Sequence, residues 1–252
     1  MRRLAKMTWL ELKLFAREPL TVIFTMAIPL ILLFILGGVF GNTPDPDEIV
    51  YRGAGAMDFY IPAYIALVVA SLGLIGLPVH LAAYRERGVL RRFRASSVGL
   101  QHILGSQAAV MFSMAVVGGI LLVVVAVAGY DPRPPVSPGL AVPAFILGTL
   151  CFASLGVMLG SILPTARAAQ GVGVLLWFVM IFISGAGPPP EVLSDSMVWV
   201  ARFMPLTHTV RLLQDPWLGF GWNVMETIIV VGITVGAALI SLRFFRWESY
   251  RR

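Results

Sequence analysis

Residues 83–97, AYRERGVLRRFRASS, hold a dense group of charged side chains. Five arginines occur there, namely Arg85, Arg87, Arg91, Arg92 and Arg94. With about 100° of helical turn between residues, Glu86 shares one face with the apolar residues Val89, Leu90 and Phe93. A second face is basic and is formed by Arg87, Arg91 and Arg94. The chemistry that this stretch offers is therefore recognition of charge.

Two uses of the stretch follow from these residues. Its basic flank is sufficient for a helix to lie on anionic lipid headgroups. Its apolar face with one acid is suited instead to a groove of a cytoplasmic protein. Glu86 favours the second use, because a carboxylate among apolar residues is unfavourable against anionic lipid but can pair with an arginine of a partner.

Other reactive residues are sparse and form no catalytic or metal-binding pattern. The sequence has no HExxH or GxSxG motif, and its histidines are scattered at His80, His102 and His208. A single cysteine, Cys151, excludes an intramolecular disulfide and a cysteine metal site. The GxxxxGKS/T motif of ATP-hydrolysing proteins is also absent. We therefore predict no catalytic residue, no metal site and no cofactor in this chain.

The composition is that of an integral membrane protein. Of the 252 residues, 58% are hydrophobic and only 13% are charged, whereas about 25% are charged in a soluble domain. Runs of about 18 or more apolar residues are typical of membrane spans. We predict an all-α protein with six spans, at roughly 20–41, 59–82, 104–129, 140–163, 170–187 and 223–243.

Lysine and arginine are distributed unevenly between the two sides of the predicted membrane. Fifteen of the 19 lie in residues 1–19, in the 83–97 stretch, in the turn at Arg167 and in the tail from Arg243. Basic residues mark cytoplasmic loops, so both termini and residues 83–97 are predicted to be cytoplasmic. The basic residues flank apolar runs, so we expect them to meet membrane lipids and no nucleic acid.

The residues before the first span, RRLAKMTWLELKLFARE, are amphipathic. They predict a basic interfacial helix over residues 1–19 that ends or bends at Pro19. Its candidate membrane-contacting residues are Lys6, Trp9, Lys13 and Arg17. The helix serves either as a simple anchor or as a lever connected to a cytoplasmic partner.

Residues 188–222 form the most structured segment on the opposite side. Three prolines end span five, and Pro190 suits the first turn of a new helix. Apolar residues at helical spacing predict two short helices that dip into the outer leaflet, divided at Pro205. Glu226, near one end of span six, is within snorkelling reach of the interface. The tryptophans that suit this interface are Trp199, Trp217 and Trp222.

Glycine pairs four residues apart occur in three spans, at Gly37/Gly41, Gly156/Gly160 and Gly232/Gly236. Small residues at this spacing let helices approach closely. We expect close packing within the chain, and the alternatives are flexing or contact between subunits.

The chain resembles the type-2 ABC exporter permeases, which are the ABC-2 membrane subunits. Its sequence features are LAKMTWLELKLFAREP before span one, YRERGVLRRFRAS between spans two and three, and ISGAGPPPEVL with RFMPLTHTVRLLQDPWLG between spans five and six. The six-span layout with both ends inside is the fourth feature. In GAGPPPEVL the chain departs from the family pattern, where a bulky apolar residue and a single proline are usual.

The resemblance implies one ABC-2 membrane domain over residues 1–252, in which residues 83–99 are a coupling helix. That helix would sit in a cleft of a separate ABC ATPase subunit, which binds ATP and Mg. The resemblance also implies a second permease chain, identical or homologous. The residues at the ATPase would be Arg85, Glu86, Arg87, Gly88, Val89, Leu90, Arg91 and Phe93.

On this basis we expect a non-catalytic permease of a bacterial inner-membrane exporter that moves an amphipathic or hydrophobic molecule outward, such as a drug, lipid or glycolipid. The alternative is a membrane scaffold or channel that binds a non-ATPase partner through its arginine-rich loop. Candidate residues of a substrate path are Ser71, Trp177, Phe178, Phe182 and Ser184.

Overall fold

The computed structural model of the chain describes residues 23–44, 50–95 and 100–245. Over these ranges the chain is all-helical and contains no strand. The predicted interfacial helix, 1–19, lies outside the described residues, and so do Lys6, Trp9, Lys13 and Arg17.

The described residues form ten α helices. They are α1 (Ile28–Phe40), α2 (Ala56–Ser71), α3 (Leu77–Glu86), α4 (Val89–Ala95), α5 (Leu100–Tyr130), α6 (Pro138–Ile162), α7 (Ala166–Ile183), α8 (Asp195–Ala201), α9 (Pro205–Leu218) and α10 (Val224–Phe244). A π-helical turn, Leu72–Gly76, joins α2 to α3, and another, Ile23–Ala27, precedes α1.

Five helices are long and apolar enough to cross a membrane. They are the continuous α2–α3 helix Ala56–Glu86, α5, α6, α7 and α10. The chain is therefore a multi-pass membrane protein. The first predicted span, 20–41, corresponds to a shorter apolar helix, Thr25–Phe40, and its first residues lie outside the described ranges. The complete six-span arrangement stays a prediction.

The α2–α3 helix is the centre of the bundle. Its central apolar stretch is 89% buried, whereas the same measure is 22–39% for the other four spans. Helices α5, α6 and α7 pack against this helix, whereas α10 packs against α6 and α9. These spans turn apolar side chains outward, as Leu175 and Leu239 show. Outward-facing apolar side chains are suited to lipid, because hydrocarbon surrounds the spans of a membrane protein.

Glycines let α6 and α7 lie against the centre at the π-helical turn. A Cβ on Gly156 would lie 2.3 Å from the carbonyl oxygen of Gly73, and a Cβ on Gly173 would lie 2.0 Å from that of Leu74. Close packing within the chain is thus confirmed for the Gly156/Gly160 pair, where a Gly160 Cβ would meet Leu81. Gly232 and Gly236 have no such neighbour in the described part of the chain.

The segment 188–222 differs in detail from the prediction. Pro190 begins a short 3-10 turn, Pro190–Val192, and the first helix starts later, at Asp195. Pro205 occupies the first turn of α9, where the missing N–H of proline has no intrahelical partner to lose. Most of α9 is buried against α2 and α6. This helix is therefore part of the bundle and does not merely rest at the membrane interface.

Candidate functional site

The arginine-rich stretch is divided by Gly88. Helix α3 ends at Glu86, where the Arg87 N–H donates to the Ala83 carbonyl. Gly88 then has φ +67°, a left-handed conformation that costs glycine little, and α4 starts at Val89. The single helix predicted over 83–99 is therefore the end of α3, a glycine break and the separate helix α4. Its last residues, 96–99, lie outside the described ranges.

Helix α4 packs its apolar face onto its own chain. Leu90 is buried against Leu81 of α3 and Ile103 of α5. The family resemblance implied that Leu90 contacts an ATPase subunit. In the structure the side chain is instead buried within the chain, and we correct its role to attachment of α4. Val89 and Phe93 are half-buried. The half-buried residues around this cluster are Tyr84, Phe93, Val157 and Phe245.

Arg85 is also turned inward. Its guanidinium donates to the carbonyls of Gly160, at 3.0 Å, and Ser161, at 3.2 Å, and also to that of Leu163. The last carbonyls of a helix lack intrahelical donors and carry partial negative charge, so a buried cation there is stabilising. Arg85 therefore binds α3 to the end of α6. Its predicted contact with an ATPase subunit is corrected, because the side chain is only 2% exposed.

Among the side chains that the structure describes here, four charged ones lie on the outside of this unit. We call them the coupling surface: Glu86, Arg87, Arg91 and Arg92, all exposed. They are carried by the end of α3 and by α4, whose inner faces are held by Arg85 and Leu90. A force applied to the coupling surface therefore reaches α3, α5 and α6 through packed contacts, which deform little.

The candidate path residues are not on one surface. Ser71 and Trp177 are buried, and the Trp177 indole donates to the Leu67 carbonyl at 3.3 Å. Both belong to the core here, and their role in a substrate path stays a prediction. Phe178 and Phe182 lie on the outward face of α7 with their ring centroids 5.1 Å apart. Ser184 follows α7 and borders a cavity that is described below.

A polar cluster lies at the opposite end of the bundle from α4. We define it as Arg52, His208, Arg211, Asp215, Asn223 and Glu226. Arg52 donates to Asp215 at 2.7 Å, and Asn223 donates to the other carboxylate oxygen of Asp215 at 2.6 Å. Arg52 also lies over the Phe220 ring, 4.0 Å from its centroid. The loop before α2, the end of α9 and the start of α10 are joined by these contacts.

His208 and Glu226 form the buried half of the polar cluster. His208 Nδ1 is 2.6 Å from a Glu226 carboxylate oxygen, and Nε2 is 2.8 Å from the Arg202 carbonyl. Both ring nitrogens thus face acceptors, an arrangement that only the doubly protonated imidazolium satisfies. Glu226 is only 6% exposed, so its predicted snorkelling is wrong. Arg211 is the other cation beside it, at 3.6 Å.

The protonation of His208 makes the polar cluster sensitive to pH. Burial lowers the pKa of His208, but its hydrogen bonds to Glu226 and to the Arg202 carbonyl, with the charge of Glu226, raise it above the ordinary 6.5 overall. A histidine whose pKa is raised by folding stabilises the protein below its unfolded pKa. That stability is lost as pH rises through the folded pKa.

We therefore expect the purified protein to unfold at a lower temperature at about pH 8 than at about pH 6, because the stabilisation that comes from the raised pKa of His208 falls as pH rises above the ordinary 6.5. Thermal unfolding in detergent measures this change. His208→Gln is the control, since glutamine keeps a polar group without titrating, and its unfolding temperature should vary less over the same range. Equal pH dependence in the two proteins would show that His208 is not responsible.

A cavity of about 220 Å³ borders the polar cluster. Its wall includes Arg52, Ser184, Glu191 and Arg211. The Ser184 hydroxyl is buried and has no hydrogen-bond partner within the described ranges. The cavity is thus a polar recess at the end of the bundle that lies away from the coupling surface.

Sequence reasoning missed most of the polar cluster. His208 and Glu226 are 18 residues apart, and only the turn between α9 and α10 brings them together. One local signal was available, because Asn223 caps α10 by accepting from the Glu226 N–H at 3.0 Å. Asparagine followed three residues later by glutamate is a helix-start pattern. It predicts the beginning of α10 but not the partner of Glu226.

Known proteins of one family match this chain. The ABC-2 type transporter family matches residues 2–216. The chain is 26% identical to Nodulation protein J of Rhizobium meliloti (strain 1021) over 217 residues, which is 80% of each protein. It is 30% identical to Nodulation protein J of Rhizobium leguminosarum bv. viciae over 113 residues, which are 42% of this chain and 44% of that protein. The chain belongs to the ABC-2 type transporter family, as a membrane permease.

Proposed function

We propose that this permease is the non-catalytic membrane subunit of an ATP-driven exporter, and that its coupling surface binds a separate ABC ATPase subunit. The observation that carries the proposal is the division of α4 into two faces. Leu90 of α4 is buried in contacts with α3 and α5, while the neighbouring Arg91 and Arg92 are exposed. A helix built in this way is anchored to the spans and presents charge to a partner.

Movement of the partner would be transmitted to the membrane spans through two sets of buried contacts. Leu90 packs on Leu81 and Ile103, and Arg85 holds the end of α6. ATP and Mg would be bound by the partner, whose change of state would displace α4. The displacement requires contacts that differ between the two states of the partner, because equal contacts would shift no equilibrium.

The remaining parts of the proposal follow the charge pattern and the family. The uneven lysine and arginine distribution supports a cytoplasmic coupling surface and cytoplasmic termini in the bacterial inner membrane. Two permease chains would assemble with two ATPase subunits. The apolar spans, with Phe178 and Phe182 turned outward, favour an amphipathic or hydrophobic cargo that is moved outward, such as a drug, lipid or glycolipid.

The proposal is tested by charge reversal on the coupling surface. The permease is co-expressed with an ABC ATPase subunit that carries Walker motifs, and the two are purified together. We expect Glu86→Arg combined with Arg91→Glu to weaken retention of the ATPase about a hundredfold, because paired charges at an interface become repulsive.

Arg167→Glu is the matched control for this experiment. Arg167 is also exposed and belongs to the same predicted side of the membrane, but it lies in the first turn of α7. Its reversal should leave ATPase retention unchanged. Retention of the ATPase by the double variant would contradict the proposal. A wild-type permease that retains no ATPase would favour the alternative, a scaffold or channel with a different partner.

A further inference from the structure

The observation behind this inference is an apolar groove between α5 and α6. It has a volume of about 450 Å³ and opens on the outward, membrane-facing side of the two helices. Its floor is formed by Ile65 of α2 and by Leu213 and Trp217 of α9. The exposed rim is apolar and consists of Phe112, Ile120, Val124, Val142 and Ile146.

The two ends of the groove are different. Phe112 and Phe145 close one end, with their ring centroids 5.8 Å apart. The other end reaches the loop between α5 and α6, where the Val136 N–H donates to the Trp217 carbonyl at 3.0 Å. The Trp217 indole N–H has no acceptor in the described part of the chain. The loop at this end carries the exposed charged residues Asp131 and Arg133, and charged side chains lie outside the membrane hydrocarbon, so this end of the groove is the one at the interface.

The length of the groove matches one leaflet. It is lined along α5 from Phe112 to Val124, a distance of about 18 Å at about 1.5 Å per residue. Half of a hydrocarbon core that is about 30 Å thick is about 15 Å. A groove that starts at the interface and has this length ends near the middle of the bilayer, as an acyl chain does.

The groove is open along its outer side and its lining is apolar. It therefore offers an acyl chain a shaped apolar surface. A second permease chain lying across the same opening is the competing occupant, and the test below distinguishes the two.

We propose that the groove between α5 and α6 is a binding site for one acyl chain of a membrane phospholipid, on the leaflet side of Trp217. The acyl chain would lie against the apolar lining of the groove. The ester groups of the phospholipid would then lie at the Trp217 end, at the interface. The site needs only that α5 and α6 cross a membrane. It does not depend on an ATPase partner, so a failure of the lipid proposal would not contradict the proposed binding of an ATPase, and the reverse is also true.

The groove can be filled from inside by one substitution. A Cβ on Gly119 would meet only Ile65, at 3.8 Å, so a larger side chain there enters the groove without striking the backbone. Gly119→Phe is the test variant. Gly232→Phe is its control, because Gly232 is on the membrane span α10 and a Cβ there meets nothing within 4 Å. Ala141→Phe fills the same groove from α6 and serves if Gly119→Phe does not fold.

The measurement is the phospholipid retained by the full chain. Each protein is reconstituted in nanodiscs of phosphatidylethanolamine and phosphatidylglycerol, extracted in mild detergent, and analysed by native mass spectrometry. We expect wild type and Gly232→Phe to keep one phospholipid per chain. Gly119→Phe should keep at least about tenfold less, because the added ring excludes methylenes of the acyl chain from apolar contact with the groove.

Two results would overturn the proposal. Equal lipid retention in wild type and both groove-filling variants would show that any bound lipid lies elsewhere. A wild-type chain that retains no lipid, but forms a dimer that Gly119→Phe dissociates, would assign the groove to a contact between two permease chains.

Discussion

Gly173→Ala is expected to prevent stable assembly of the bundle. The new Cβ would lie 2.0 Å from the Leu74 carbonyl oxygen and 3.3 Å from the Ile75 Cα. These are backbone atoms of the π-helical turn, so the clash is relieved only if α7 moves away from the central helix. Overpacking of a core commonly costs about 1–3 kcal/mol, and a clash with backbone should exceed that range. Size-exclusion profiles and unfolding temperatures in detergent measure the loss.

Gly171→Ala is the control for Gly173→Ala. Gly171 lies on the same helix, two residues earlier, and a Cβ there meets nothing within 4 Å. Alanine at this position should leave the profile unchanged or slightly improve stability, because alanine is the better helix former by about 1 kcal/mol. Identical behaviour of the two variants would mean that α7 does not rest on the π-helical turn.

Leu90→Asp is expected to detach α4 from the bundle. The leucine is only 1% exposed and belongs to the cluster with Leu81 and Ile103. Loss of a buried leucine costs about 2–5 kcal/mol, and a carboxylate in its place has no partner there. Because about 1.4 kcal/mol is a factor of ten in an equilibrium, α4 should open at least about a hundredfold more often.

Limited trypsin digestion measures this opening, since α4 carries arginines. Cleavage near α4 should become faster by a similar factor in Leu90→Asp, while the rest of the chain keeps its wild-type pattern. Arg91→Asp is the control, because the same side chain is placed on the exposed neighbour. Faster cleavage in the control alone would show that α4 is held by its charged face.

Arg85 and Leu90 explain how one short helix can act on several spans. A coupling surface that was merely tethered by loops would move without moving the bundle. Here the guanidinium of Arg85 is bonded to the end of α6, and Leu90 contacts α3 and α5. In the proposed coupling to an ATPase, the buried residues would transmit force, and the exposed Glu86, Arg87, Arg91 and Arg92 would contact the partner.

The interior contacts of the charged stretch show the limit of sequence reasoning. A helical wheel grouped Leu90 with Glu86 and Phe93 as members of one continuous helix, but Gly88 divides the stretch and leaves Glu86 on α3. The wheel contained no information on whether that face meets a partner or the chain itself. The structure divides the group, since Leu90 is buried, Phe93 is half-buried and Glu86 is exposed. The same limit applies to Trp177, whose aromatic character suits a substrate path and a core equally.

The sequence alone determined the class of protein, the spans that the structure describes as long apolar helices, and the position of the charged stretch between two of them. These properties depend on local composition and on the helical repeat. The tertiary structure decided which helix is central, where Arg85 donates its hydrogen bonds, and that His208 meets Glu226. The groove between α5 and α6 is also a result of the tertiary structure. Each of these depends on contacts between residues distant along the chain, and no short stretch of sequence encodes its partner.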